Sequence, residues 1–165
     1  MQLPSMETIL QKVASLKQQN HIDLSTEEDL AIAVMNLISL EEHFFFSGEK
    51  TQKPAYFELM SQIRTTRKEL LAKLMDVNEG ETWCISKHLL ATTMRLMEVG
   101  TKLQADKKVE EAKKMFDRAY QMFSLFWGLR LKLINIKDLH HAAREDQPWT
   151  LQDIMTKLVD CCDEK

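Results

Sequence analysis

Five polar residues on otherwise apolar helical faces are the first candidates for chemistry in this chain. At 100° per residue, Glu41 projects within about 40° of Leu37 and lies between Leu40, Phe44 and Phe45. Arg67 stands a similar distance from Ile63, flanked by Met60, Leu70 and Leu71. His88 and Arg95 sit at the edge of the apolar seam of a third segment, and Arg130 falls among Phe123, Phe126 and Leu133 in a fourth. A charge on a buried face must be paired or hydrogen-bonded to be tolerable. Two readings follow. Glu41, Arg67, His88 and Arg95 form a structural ion-pair network, or they line a small internal pocket in which acidic and basic groups face each other and bind a ligand.

Other arrangements carry weaker signals. Cys84 and His88 stand at i and i+4, metal-ligand spacing on a helix, with Glu81 one turn earlier, but a zinc site needs three or four such ligands and no neighbouring segment offers them. The paired Glu-x-x-His motifs of di-iron bundles are absent, and Glu41-Glu42-His43 diverge around a helix. Met94, Met97, Met115 and Met122 could present haem ligands, yet with ten methionines in the chain they read more simply as core filling. His140-His141 falls at a ragged helix end. There is no glycine-rich phosphate loop, no nucleophile elbow and no Cys-x-x-Cys, and Arg130 and His140 are too far apart for the Arg/His pair of a helical nuclease. The expectation is therefore no cofactor and no resident metal. An enzyme, or a metal or haem protein working from the polar cluster, is the rival to a non-enzymatic binding module.

The elements that must position these residues are helices. The chain has 165 residues with 44% hydrophobic and 28% charged residues, and only 4 Gly and 3 Pro. That is enough for one buried domain and poor in the turn residues of a β fold. The central segment Gly80 to Leu103 has Ile85, Leu89, Thr92, Leu96, Val99 and Leu103 on one seam. Trp83, Leu90, Met94 and Met97 form a second apolar arc, and the remaining polar strip holds Cys84, Lys87, Ala91, Arg95, Glu98 and Lys102. A helix apolar around most of its girth is expected to be wrapped by neighbours.

Ahead of it, Ser25-Thr-Glu-Glu28 reads as a capping box opening a helix over 26–46, which Ser47-Gly48 stops with Gly48 in a left-handed C′ position. A second helix spans 54–75 from Pro54. The fourth runs over 109–136, with Ala112, Met115, Phe116, Ala119, Met122, Phe123, Phe126 and Leu133 turned inward. Within it, Val109 to Tyr120 is similar to one helix of a tetratricopeptide repeat, but the pattern occurs once and supports no array. Short amphipathic helices at 5–19 (Ile9, Val13, Leu16) and 150–162 (Leu151, Ile154, Met155, Leu158, Val159) flank the core.

Short connections make sequential helices antiparallel neighbours. The predicted fold is an all-α, antiparallel up-down-up-down four-helix bundle, one domain over 1–165 with its core at 25–136 and short N- and C-terminal flanking helices. Centring the first turn near residue 50 sets Glu41 level with Met60 and, through the next turn, close to Arg95, which makes Arg95 its expected partner. Net charge is −3 with no basic face, so nucleic acid is not an expected partner. No uninterrupted apolar run approaches a membrane span, and no signal peptide is evident. Three cysteines without a disulfide framework point to a cytoplasmic setting. Apolar residues left on the back of the first helix, Phe46, Met35 and Ile32, point to a homodimer or another protein as partner.

Overall fold

The computed structural model describes residues 24–75 and 81–133, with Glu7, Leu10, Gln11, Ala14, Ser15 and Gln18 as separate helical positions before them. The flanking segments expected at 5–19 and 150–162 lie, apart from those positions, outside the described residues. Four helices make up the described chain: α1 (Leu24–Thr51), α2 (Ala55–Leu74), α3 (Glu81–Ala105) and α4 (Val109–Arg130). No strand occurs among the described residues. The closest packing joins α1 to α2 and α3 to α4, and a smaller interface joins α1 to α3. The arrangement is consistent with a bundle.

The core gathers where α1 and α3 begin and α2 and α4 end. Ala31, Val34 and Met35 of α1 meet Leu71 and Leu74 of α2, Trp83, Cys84 and Leu90 of α3, and Phe126 and Leu129 of α4. Met35, expected on the outer surface of its helix, is buried here.

The buried face of α3 differs from the expected seam by one residue. Trp83, Ser86, Leu90, Thr93 and Gly100 are buried, whereas Thr92 and Val99 are exposed and Ile85, Leu89, Leu96 and Leu103 are half-buried. A one-residue offset rotates the face by about 100°. Ser86, Thr93 and Gly100 recur every seven residues and meet α4, where Ala112, Ala119 and Phe126 recur at the same interval. At Gly100 the absence of a side chain leaves room for the Phe116 ring of α4. Cys84, which falls in the polar strip by spacing yet reads as an interior cysteine, is buried.

The helix ends depart from expectation as well. Helix α1 begins at Leu24, so Ser25 lies within its first turn rather than at its cap. It also continues through Gly48 to Thr51. The left-handed residue is Gln52 (φ 55°), whose N–H donates to the Gly48 carbonyl at 2.8 Å. Lys107 (φ 63°) ends α3 and Lys132 (φ 53°) ends α4 in the same conformation. At both of the latter, the following N–H reaches back five residues, Lys108 to Leu103 and Leu133 to Gly128, as in a Schellman cap. Helix α4 thus stops at Arg130 rather than near residue 136.

Gly48 serves a different purpose. A Cβ built there would lie 2.7 Å from Phe57 Cζ, and one at Gly100 would lie 2.5 Å from Phe116 Cε1. In each tightly packed helix pair, a glycine shortly before the turn makes room for a phenylalanine ring of the next helix.

Helix α1 also meets the length and composition of a membrane span over Ser25–Thr51, with a mean hydropathy of 1.3 in its most apolar stretch. The sequence holds no uninterrupted apolar run of that length, but interspersed residues leave the average high.

Candidate functional site

Glu41 continues the stripe of Val34 and Ile38 along α1, and the stripe carries its carboxylate into the interface with α2. There Arg67 interrupts an otherwise apolar face between Ile63 and Leu71. Its Nε donates to Glu41 Oε1 at 2.7 Å and its Nη2 donates to Oε2 at 3.4 Å. Arg64, one turn earlier, adds a bond from Nε to Oε2 at 3.1 Å. Arg67 is 1% exposed and Glu41 9%, while about half of the Arg64 side chain reaches solvent. The fork-to-carboxylate geometry is that of a charge-assisted pair, with each oxygen engaged by a guanidinium. The three bonds tie α1 to α2.

The expected partner of Glu41 was Arg95. Arg95 instead pairs with the adjacent Glu42, between α1 and α3, and both side chains are about half exposed. The displacement follows from the run-on of α1. With the turn at 52–54 instead of near 50, the level of Glu41 on α2 moves by about two helical turns, from Met60 to Arg64 and Arg67. His88 is exposed, and Cys84, one turn away, is buried, so the two do not share an environment. Of the four ligand-binding candidates, Glu41 and Arg67 come together, and His88 and Arg95 stand apart from them. Among the described residues, no three His, Cys, Asp or Glu side chains are grouped to hold a metal ion.

A second ion pair ties the ends of the bundle. Arg130 Nη2 donates to Glu27 Oε1 at 2.6 Å, linking the last turn of α4 to the first turn of α1, with both side chains largely buried. Glu27 Oε2, Arg130 Nε and the hydroxyl of the fully buried Ser86 have no hydrogen-bond partner.

Among the described residues, two concave surfaces along α1 stand out. The first, of about 330 Å³, is an apolar cleft between three helices. Helix α1 contributes Ile32 and Met35, α3 contributes Thr93, Met94 and Met97, and α4 contributes Phe116, Ala119, Tyr120 and Phe123. Thr93 turns its hydroxyl to the Leu89 carbonyl at 2.8 Å, so even this polar residue offers the cleft a largely apolar surface. The rim is unusual for an apolar surface: Tyr120 is 73% exposed and Met97 45%. The second, of about 430 Å³, is a polar groove between α1 and α3 lined by Ser39, Glu42, His43, Lys50, Arg95 and Glu98, with Phe46 and Ser47. Here cations and carboxylates alternate on exposed side chains.

The sequence reading assigned Met94, Met97, Phe116 and Phe123 to core filling. Their periodicity is that of a core, and only Tyr120, a large polar-tipped ring within the same stripe, marked it as open to solvent.

Compared with protein families, curated proteins and solved structures, the chain gives no match.

Proposed function

We propose that the chain is a non-enzymatic interaction module that receives an amphipathic helical segment in the cleft between α1, α3 and α4. The observation that carries this reading is the cleft itself: a concave, almost wholly apolar surface whose rim leaves Met97 and Tyr120 in water. Helix-in-groove recognition uses such surfaces, and flexible methionines let them adapt to different partners. The cleft volume of about 330 Å³ also falls at the low end of small-molecule sites, which favours an apolar small ligand as the second reading.

The proposal includes an up-down-up-down, antiparallel course for α1–α4. Glu41–Arg67 and Gly48–Phe57 both centre on the turn at 52–54, and Gly100–Phe116 centres on the turn near residue 108. It also places α1 inside a bundle rather than in a membrane, supported by the lock between its Glu41 and Arg67 of α2. A reducing, cytoplasmic setting completes the reading, in keeping with Cys84 being buried and outside any disulfide.

An anilinonaphthalene sulfonate probe tests the cleft. The full chain is expected to bind it, and Met97→Glu to weaken binding at least tenfold with helical circular dichroism unchanged. Unchanged binding in Met97→Glu overturns the proposal.

Self-association is proposed through a separate face of α1, where Phe45 and Phe46 are both exposed. Light scattering at micromolar concentration is expected to give a dimer that Phe46→Glu converts to monomer. A wild-type monomer would remove self-association from the proposal and leave the cleft untouched.

A further inference from the structure

We propose that the chain self-associates by a two-fold, antiparallel pairing of α1 with α1 of a second copy, centred on Phe46. This rests on the reading of Phe45 and Phe46 as a self-association face and adds the register of the pairing and the charges that set it.

The first observation is the order of charges along α1. Glu42 and Lys50 stand four residues before and after Phe46, and His43 and Glu49 stand three residues before and after it. At 100° per residue all four project within about 60° of Phe46, so they share its face. All four are exposed. Because α1 runs on unbroken through Gly48 to Thr51, both arms of this pattern lie on one helix. A two-fold axis at Phe46 brings residues equally far before and after it to one level on two antiparallel helices. Glu42 then meets Lys50 of the second copy roughly 6 Å from the axis, and His43 meets Glu49 of the second copy roughly 4.5 Å from it, at about 1.5 Å per residue. Each pair occurs twice. A parallel pairing sets Glu42 against Glu42 and Lys50 against Lys50, and like charges facing each other oppose it.

The second observation is how little these charges are used within one copy. Glu42 makes an ion pair with Arg95 in which both side chains are about half exposed, and among the described residues His43, Glu49 and Lys50 make none. Glu42, His43 and Lys50 line the polar groove, so its charges are presented outward. The third is the apolar centre. Phe46 is 49% exposed, and Phe45 lies edge-on to it with ring centroids 5.3 Å apart. At the axis Phe46 meets Phe46 of the second copy, which gives the contact an apolar middle between charged ends.

Reciprocal charge reversal tests the register. Glu42→Lys and Lys50→Glu are each expected to weaken dimerisation at least about tenfold in sedimentation at low ionic strength, with helical circular dichroism unchanged, since symmetry repeats the repulsion at both ends. An equimolar mixture of the two variants is expected to recover wild-type affinity as a heterodimer, because each reversed charge then faces the other. The loss of Glu42–Arg95 in Glu42→Lys acts within one chain, and mixing does not repair it. A mixture no tighter than its components overturns the register, while a wild-type dimer keeps the self-association reading. Variants that singly match wild type and associate more tightly when mixed identify a parallel pairing and overturn it too. A wild-type monomer removes the register together with self-association.

Discussion

Replacing Arg67 by Met is expected to cost about 3–5 kcal/mol, because it strands the buried Glu41 carboxylate. Arg67 is 1% exposed, and its two bonds to Glu41 form the buried half of the network. Arg64 would remain at 3.1 Å from Oε2, but its half-exposed guanidinium reaches only one of the two oxygens. Glu41→Gln removes the charge from the other side and leaves Arg67 with a neutral acceptor, so it is expected to cost less than Arg67→Met. The informative variant is Glu41→Gln/Arg67→Met. Replacing a buried ion pair by groups of similar volume is often close to neutral, so the double variant should recover most of the stability lost in Arg67→Met. The two changes would then be non-additive by well over 1 kcal/mol in a denaturation cycle. The exposed pair Glu42–Arg95 is the control, since ion pairs in that setting contribute about 0–1 kcal/mol. Additivity at Glu41 and Arg67, or coupling as strong at Glu42 and Arg95, would show that burial does not govern this network.

That network shows where the sequence was legible and where it was not. Glu41 and Arg67 stood out because charges interrupt an apolar period, and the period itself is a property of the sequence. Their partnership was hidden, because it depends on where α1 ends. Glycine is the usual left-handed terminator, and Gly48 was therefore the natural stop. In the structure Gly48 yields space to Phe57, and the left-handed conformation falls to Gln52, a residue with no special preference for it. Lys107 and Lys132 repeat the substitution at the ends of α3 and α4. An error of a few residues in one turn is doubled across the helix pair, and here it exchanged Arg67 for Arg95.

The orientation of α3 was obscured by a different effect. Hydropathy ranks Ile, Leu and Val above Ser, Thr and Gly, so it selected Ile85, Leu89 and Val99 for the interior. Packing is decided by how closely two backbones approach. Gly100 accepts the Phe116 ring of α4 where any side chain would collide with it. The same rotation turns Met97 and Val99 outward and leaves an apolar rim where the sequence placed a seam. A count of apolar positions does not show which of them this rotation leaves at the surface.

This rotation makes Leu90 and Leu96 the sharpest test of the fold. Both are leucines on α3 fewer than two turns apart, so helix propensity and side-chain chemistry are matched. Leu90 is fully buried in the core with Trp83, Phe126 and Leu71, whereas Leu96 is half-buried and Val99, beyond it, is 45% exposed. Truncating a buried leucine loses its transfer free energy and leaves a cavity, together about 2–5 kcal/mol. Leu90 has no surface in contact with water, so solvent cannot fill the space it leaves, which places Leu90→Ala toward the upper part of that range. Leu96→Ala should cost markedly less, since part of its surface already meets water and solvent can fill the gap. Val99→Ala, which trades an exposed branched residue for a better helix former, is expected to stay within about 0.5 kcal/mol of wild type. Against a total stability of about 5–15 kcal/mol, the Leu90 variant would lose a large fraction of its margin. Urea denaturation followed by circular dichroism reads the ordering directly, provided the slope is common to all three variants. Equal losses for Leu90 and Leu96, or a larger loss for Leu96, would restore the Ile85–Leu103 seam as the buried face and remove the basis for the cleft.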